Sequence, residues 1–75
     1  MATVNFELLG NITQTQYENL IGVLASALRT QRKFIEICGR RQGENGETIY
    51  RVKSKGYYYH ITLNGNRIIN VAYEV

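Results

Sequence analysis

Few side chains in this 75-residue chain could carry out covalent chemistry. Nucleophilic catalysis needs a serine, threonine or cysteine beside a general base that a third group orients. The chain has one histidine, His60, and one cysteine, Cys38. The strand pattern described below puts them on different strands, with His60 facing away from the core. Cys38 is therefore predicted to be a small apolar residue at the edge of the core.

Acidic and metal-binding residues are also sparse. Aspartate is absent, and the six glutamates are scattered along the chain, so no pair of carboxylates is suggested for acid-base hydrolysis. One cysteine and one histidine do not make a zinc site. Gly39, Gly43 and Gly46 resemble a phosphate-binding loop only superficially, because no Gly-Lys-Ser/Thr follows and no helix begins after them. The sequence thus predicts no enzyme, no cofactor and no metal.

Basic residues are concentrated in the middle of the chain. The formal charge is +3 and the sequence pI is about 9.2. Eight of the nine lysines and arginines lie within residues 29–55, which contain three glutamates. Such asymmetry favours an anionic partner, although a modestly basic pI is also a common solution to the problem of solubility.

The size of the chain limits its organisation. A domain of this length buries only about 60% of the surface of its unfolded chain, which leaves room for one core. Residues 1–75 are therefore predicted to form a single domain. A single cysteine, the lack of a basic and apolar leader, and the lack of an apolar run of about 20 residues predict a cytoplasmic protein without a membrane segment. No motif is specific enough to indicate a family.

One segment has the signature of an amphipathic helix, predicted over residues 14–30. Thr13 and Gln16 have the spacing of a capping box, and Ile12 is placed to contact Tyr17 as a hydrophobic staple. Apolar residues then recur every three or four positions and form one stripe. The stripe contains Tyr17, Leu20, Ile21, Leu24, Ala27 and Leu28.

The remaining segments have the alternation of strands. Strands are predicted over residues 3–8, 34–38, 48–53, 57–63 and 67–75. Residues 39–47, which include Arg40 and Arg41, are predicted to be a long mobile loop because they are polar and rich in glycine. The predicted fold class is α+β, with one helix packed on one face of a mostly antiparallel sheet and the element order β-α-β-β-β-β.

Alternation also predicts which way each side chain points. The side facing the helix should bury Tyr50, Val52, Tyr57, Tyr59, Ile61, Leu63, Ile69, Val71, Tyr73 and Val75. A two-residue turn at Asn64 and Gly65 would pair Ile61 with Ile68 and break this pattern. A three-residue bulged loop is therefore predicted, with Gly65 or Asn66 in the left-handed region.

One helix covers one face of a sheet, so the opposite face is the predicted place of function. The predicted contact residues are Ile49, Arg51, Lys53, Tyr58, His60 and Ile68 on that face, with Arg40 and Arg41 in the loop. Tyrosine and arginine dominate protein interfaces, and exposed apolar groups need a partner. We expect a non-enzymatic protein-binding module acting through this face and residues 39–47. Regulators, inhibitors and assembly subunits, including those of phages and mobile elements, have this character. Another protein is the expected partner, and a homo-oligomer is also compatible with the pattern.

The same face permits a second hypothesis, which is binding of RNA or single-stranded DNA. Arg51 and Lys53 could contact phosphates while Tyr58 or His60 stacks on a base, and Arg40 and Arg41 could extend the basic patch. Only Tyr58 of the three consecutive tyrosines should point outward, so the run is not a stacking ladder. No sequence signature of a nucleic-acid-binding fold is present, and solvated basic residues on an exposed sheet are the simplest alternative.

Overall fold

The computed structural model of the protein describes residues 13–74. The elements are helix α1 (Gln14–Leu28), a 3₁₀ turn (Arg32–Phe34) and strands β1 (Glu36–Gln42), β2 (Thr48–Ser54), β3 (Tyr57–Asn64) and β4 (Arg67–Tyr73). The four strands form one antiparallel sheet in the order β1-β2-β3-β4. The predicted α+β class is confirmed. The predicted strand at residues 3–8, the staple residue Ile12 and Val75 lie outside the described residues.

The start of α1 is fixed by the predicted capping box. The Gln16 backbone N–H donates to Thr13 Oγ1 at 3.1 Å, and the Thr13 N–H donates to Gln16 Oε1 at 3.0 Å. The helix ends at Leu28, two residues earlier than predicted, because Arg29 takes the left-handed conformation with φ 53°. A left-handed residue ends many helices by turning the chain away from the axis.

The core lies between α1 and the middle of the sheet. Leu24, Val52 and Ile61 are 0% exposed. Burial of such a side chain contributes about 1.5–3 kcal/mol. The other buried apolar residues are Ile21, Ala25, Ile35 and Leu63. The inward direction of β2 and β3 is thus as predicted, and the helix stripe is as predicted from Leu20 onward. Tyr17 and Tyr57 were expected to be buried and are instead 37% and 54% exposed.

Strand β1 is longer than the sequence predicted. It contains Arg40 and Arg41, which pair with Tyr50 and Ile49 of β2 instead of lying in a loop. The register shifts between Ile37 and Gly39, so Cys38 is the extra residue of a β-bulge. The bulge lets the strand continue through Gly39, beyond the end that the sequence predicts. The connecting loop is therefore only residues 43–47, closed by a 2.7 Å hydrogen bond from the Gly43 N–H to the Glu47 carbonyl.

Two tight turns connect the remaining strands. Lys55 and Gly56 both have positive φ, 52° and 85°, which is the type I′ geometry of a two-residue hairpin. The turn between β3 and β4 also has two residues, Gly65 and Asn66, with Gly65 at φ 62°. The predicted three-residue loop is therefore wrong.

The irregularity predicted for that turn lies in the strand ladder instead. Thr62 pairs with Asn70 and Leu63 pairs with Ile68, so Ile69 is the extra residue. Because this bulge restores the phase after the turn, the predicted facing of the last strand is correct from Ile69 onward, whereas Ile68 lies on the helix side and not on the outer side as predicted.

From Ile69 onward, strand β4 faces as predicted but is not buried as predicted. Ile69, Val71 and Tyr73 are 44%, 40% and 55% exposed. A helix is about 10–12 Å wide with its side chains, and strands lie about 4.8 Å apart, so one helix covers about two strands. The buried residues of the sheet lie in β2 and β3, whereas the apolar side of β4 stays largely accessible among residues 13–74, although α1 also approaches β4.

Candidate partner-binding surface

The sheet surface opposite α1, here called the outer face, is built from cross-strand rows. In one row Lys53 lies opposite Tyr58. In the next, Arg51 lies opposite His60, which lies opposite Ala72. Residues opposite one another in an antiparallel pair point to the same side and lie about 4.5–5.5 Å apart at their Cβ atoms. The structure therefore brings four predicted contact residues into one cluster.

Glu74 lies at the centre of this cluster. Arg51 donates to it twice, from Nε to Oε1 at 2.9 Å and from Nη2 to Oε2 at 3.0 Å. His60 Nε2 lies 2.7 Å from the same Oε1. The Glu74 backbone N–H also donates to the Tyr58 carbonyl at 2.9 Å, which fixes the carboxylate beside the sheet.

Tyr58 supplies the aromatic part of the cluster. The Arg51 guanidinium carbon lies 4.1 Å from the centre of the Tyr58 ring, and Lys53 Nζ lies 5.7 Å from it. These are cation–π distances. Arg51 is thus held by a carboxylate and by an aromatic ring.

The charges of the cluster stabilise one another. Hydrogen bonds from Arg51, and then from His60, lower the pKa of Glu74 from 4.5 to about 2. The hydrogen bond to Glu74 raises the pKa of Arg51 above its usual value. Both groups are therefore charged at neutral pH, and the geometry is the two-pronged pairing that arginine makes with carboxylates.

Sequence reasoning missed Glu74 as a member of this site. The signal was present, because Glu74 continues the outward alternation of Asn70 and Ala72. The ladder that pairs His60 with Ala72 places Glu74 beside Tyr58 when it is extended by one step.

Four other predicted contact residues are divided between the two faces. Arg41 and Ile49 pair with each other on the outer face, at the end nearer the 43–47 loop. Arg40 pairs with Tyr50, which packs against the core, so Arg40 lies on the helix side. Its Nε is buried and makes no hydrogen bond within the described residues. Ile68 was predicted on the outer face, but the bulge pairs it with a buried residue of the helix side.

A second exposed surface runs along β4 on the helix side. Tyr57 is 54% exposed, and its ring centre lies 5.8 Å from that of Tyr73. Tyr59 lies 5.6 Å from Tyr73 in the same way. These aromatic contacts continue the apolar row of Ile69 and Val71. Tyr57 and Tyr59 thus share a side while Tyr58 is outward, as the alternation predicted.

A third feature is a basic group beside the helix. The Arg32 guanidinium packs over Gly22 of α1, so this glycine faces Arg32 and not the sheet. A Cβ atom added at Gly22 would lie 2.8 Å from Arg32 Nη2. Lys33 and Lys55 lie 5.2 and 4.9 Å from the Phe34 ring centre. Packing of cations on an exposed ring explains this group without a ligand. The adjacent shallow groove, about 260 Å³, is lined by Tyr17, Glu18, Ile21, Arg32 and Lys33.

Two kinds of site are not seen in the described part of the chain. Residues 13–74 contain no group of three histidine, cysteine or acidic side chains that could hold a metal ion. Over the same range, no helix has the length and apolar character needed to cross a bilayer. Comparison of the chain with protein-family models, curated proteins and solved structures finds no significant match.

Proposed function

We propose that this chain is a small non-enzymatic protein-binding module that contacts its partner through the outer face. The observation that carries the proposal is the ordered cluster of Tyr58, Arg51 and Glu74 on a face opposite the helix. Tyrosine and arginine are the residue types that most often dominate interface energies. Ile49 and Arg41 extend the surface towards the 43–47 loop.

The rigidity of the cluster favours recognition. Ordering a flexible side chain at an interface costs about 0.5–1.5 kcal/mol. Arg51 already has two hydrogen bonds to Glu74 and a contact with the Tyr58 ring, so much of its freedom is lost before a partner arrives. A partner that accepts this arrangement therefore binds a preorganised surface.

The charge of the outer face favours a protein partner over a nucleic acid. Cations Arg41, Arg51 and Lys53 share this face with carboxylates Glu36 and Glu74. A phosphate reaching Arg51 would have to displace the Glu74 carboxylate or lie beside it, and like charges repel. The ring face of Tyr58 that a base would stack on is also in contact with Arg51. Binding of single-stranded nucleic acid is thus the less supported of the two hypotheses.

The ordered cluster on the outer face supports the class of activity that we assign. A regulator, inhibitor or assembly subunit acts by occupying a surface, and Tyr58, Arg51 and Glu74 supply such a surface within the described residues. The free thiol of Cys38 fits a reducing compartment, so we place this activity in the cytoplasm.

Adjacent tyrosines provide a matched test. Tyr58→Ala removes a ring from the outer face, whereas Tyr57→Ala removes the same ring from the opposite side. The tagged chain and both variants would be used for affinity purification from the native host, with nuclease treatment of the lysate. We expect a nuclease-resistant protein complex that Tyr58→Ala loses and Tyr57→Ala retains.

Two further measurements complete the test. The melting temperature of Tyr58→Ala should fall by only a few degrees, because Tyr58 lies outside the core and its contact with Arg51 contributes about 0.5–1 kcal/mol. Titration of labelled RNA and single-stranded DNA at about 50 mM salt tests the alternative, because phosphate contacts are strongest at low salt. Salt-sensitive binding that Tyr58→Ala abolishes would contradict protein recognition and support the nucleic-acid hypothesis.

A further inference from the structure

The two edges of the described sheet differ in how they are protected. Unpaired edge strands invite pairing with another strand, and proteins discourage this with charged side chains. Edge strand β1 carries Glu36, Arg40 and Arg41. Edge strand β4 has one charged residue, Arg67, at its first position and six uncharged residues after it. Strand β4 is therefore the edge that is less protected against pairing.

The backbone groups on the free side of β4 can be assigned from its pairing with β3. In an antiparallel ladder, residues that bond to the neighbouring strand alternate with residues whose N–H and C=O groups point away from it. The Glu74 N–H donates to the Tyr58 carbonyl, which places Glu74 in the first group. Tyr73 and Val71 lie one and three positions earlier, so they belong to the second group. Ile68 belongs there as well, because the bulge in β4 shifts the alternation by one position.

We propose that β4 pairs with β4 of a second copy of this chain, in antiparallel orientation about a two-fold axis at Val71. Residues opposite one another in such a pair point to the same side of the sheet. A register centred on Val71 meets this condition along the whole strand once the extra residue of the bulge, Ile69, is left unpaired. The pairs between the two copies are Val71 with Val71, Asn70 with Ala72, Ile68 with Tyr73 and Arg67 with Glu74.

The register joins groups that are exposed in one copy. On the helix side, Ile68, Val71 and Tyr73 are 39%, 40% and 55% exposed. The pairs of Val71 with Val71 and of Ile68 with Tyr73 bring these apolar side chains together. They also consist of residues whose N–H and C=O groups point to the free edge, so backbone hydrogen bonds can form at the same positions. Addition of strands at an edge uses this combination of backbone bonds and side-chain contacts.

The charges at the two ends of β4 are complementary in this register. Arg67 is exposed and faces outward, because it pairs with Asn64, one position beyond the buried Leu63. Glu74 follows the other end of the strand on the same outer face. Its Oε2 accepts a hydrogen bond from Arg51, and a carboxylate oxygen has two lone pairs. Arg67 of one copy can therefore bind Glu74 of the other copy without displacing Arg51, and the symmetric dimer contains this contact twice.

This match along one strand favours a second copy over an unrelated partner. An unrelated strand would need its own apolar residues and its own acidic residue at the corresponding positions, whereas β4 supplies all of them for itself. The pairing joins the four strands of each copy into one sheet of eight. It goes beyond the proposed function, because it concerns the sheet edge and leaves Tyr58 on the outer face unchanged.

Sedimentation of the full chain over a range of concentrations measures the self-association. An edge contact is smaller than a standard interface, so we expect a dimer at micromolar or higher concentrations. Val71→Lys puts two ammonium groups next to each other on the axis and should weaken the dimer at least about tenfold. Gln42→Lys adds the same group to the opposite edge strand, β1, and should change the dissociation constant by less than about threefold. Circular dichroism checks that each variant is folded.

Reversal of the charge at Arg67 tests the ends of the strand. Arg67→Glu places two carboxylates opposite each other at both ends and should weaken the dimer about tenfold at low salt, with a smaller effect at high salt. Lys33→Glu changes the net charge by the same amount in the 3₁₀ turn and should leave the dissociation constant within about threefold of the parent.

Cysteine cross-linking tests the register, in a Cys38→Ser background. Val71→Cys puts two cysteines on the axis, where the Cα atoms of a hydrogen-bonded pair lie about 5.5 Å apart, within the range of disulfides. Ile68→Cys, on the same side of the same strand, puts its two copies four strand positions apart, which is about 13 Å. We expect mild oxidation to link Val71→Cys into dimers and to leave Ile68→Cys unlinked.

The outcomes decide the proposal. A dimer that both Val71→Lys and Arg67→Glu weaken, with cross-linking of Val71→Cys alone, supports it. A monomer at every concentration up to about 1 mM would overturn it. A dimer that Val71→Lys leaves intact would overturn it as well, because the second copy would then lie elsewhere, and so would cross-linking of Ile68→Cys in place of Val71→Cys. None of these variants changes Tyr58, so failure here is distinguishable from failure of the proposed function.

Discussion

Ile61 and Ile49 test which face of the sheet is buried. Both lie in central strands. Substitution by valine shortens each side chain by one carbon and keeps it β-branched, so the strand propensity is nearly unchanged. Ile61 is 0% exposed and belongs to the core. Ile49 lies on the outer face, where its Cδ1 is next to Gly43 of the neighbouring loop. The chemical change is the same at both positions, so the difference between the two variants in the free energy of unfolding measures the effect of burial.

The magnitudes follow from the two environments. Ile61→Val should cost about 1 kcal/mol, the usual cost of such a truncation in a packed core. For a domain of this size each kcal/mol lowers the melting temperature by about 4–8 °C. Ile49→Val should cost about 0.5 kcal/mol or less, because Ile49 is half-buried and lies outside the core. Urea and thermal denaturation followed by circular dichroism would give both numbers, with an unchanged dependence on urea.

If Ile49→Val destabilises the protein as much as Ile61→Val, the outer face is buried and not accessible. A concentration-dependent melting temperature would then indicate that a second copy covers it.

Three other substitutions test individual features. Thr13→Ala removes the side-chain acceptor from the capping box with Gln16 and should cost about 1 kcal/mol by denaturation. Gly56→Ala puts a side chain at φ 85° and should cost about 1–2 kcal/mol, lowering the melting temperature. Glu74→Gln tests the pH dependence of stability. Folding lowers the pKa of Glu74 from 4.5 to about 2. The stabilisation that ionised Glu74 gives the folded state is therefore complete above pH 4.5 and is lost as the pH falls towards 2. The parent should therefore lose more stability than Glu74→Gln over that interval, and equal pH profiles in urea denaturation would contradict the ion pair with Arg51.

Local signals predicted the parts of the fold that local chemistry determines. The helix start depends on Thr13 and Gln16, three residues apart, and the turn at Gly56 depends on its own backbone. The side on which each residue of β2 and β3 lies follows from a period of two. These features needed no knowledge of which strands pair.

Features that depend on distant pairing were missed. The length of β1 is set by its ladder with β2 and by a bulge at Cys38, whereas the sequence showed only a glycine in a polar stretch. The accessible side of β4 depends on the width of the helix relative to the sheet. The outer-face cluster was predicted in part, since Arg51 and Tyr58 were found, but its central Glu74 became visible only with the β3–β4 register.

The bulges at Cys38 and Ile69 also determine where the chain can change length. Each bulge adds one residue to an edge strand while the pairs on both sides of it keep their faces. Loss of either residue would leave an uninterrupted ladder, with Ile37 still opposite Val52 and Val71 still opposite Ile61. A single deletion elsewhere in the strands would turn the following side chains to the wrong side. When homologous chains are aligned, gaps of one residue in the sheet are therefore expected at these two positions.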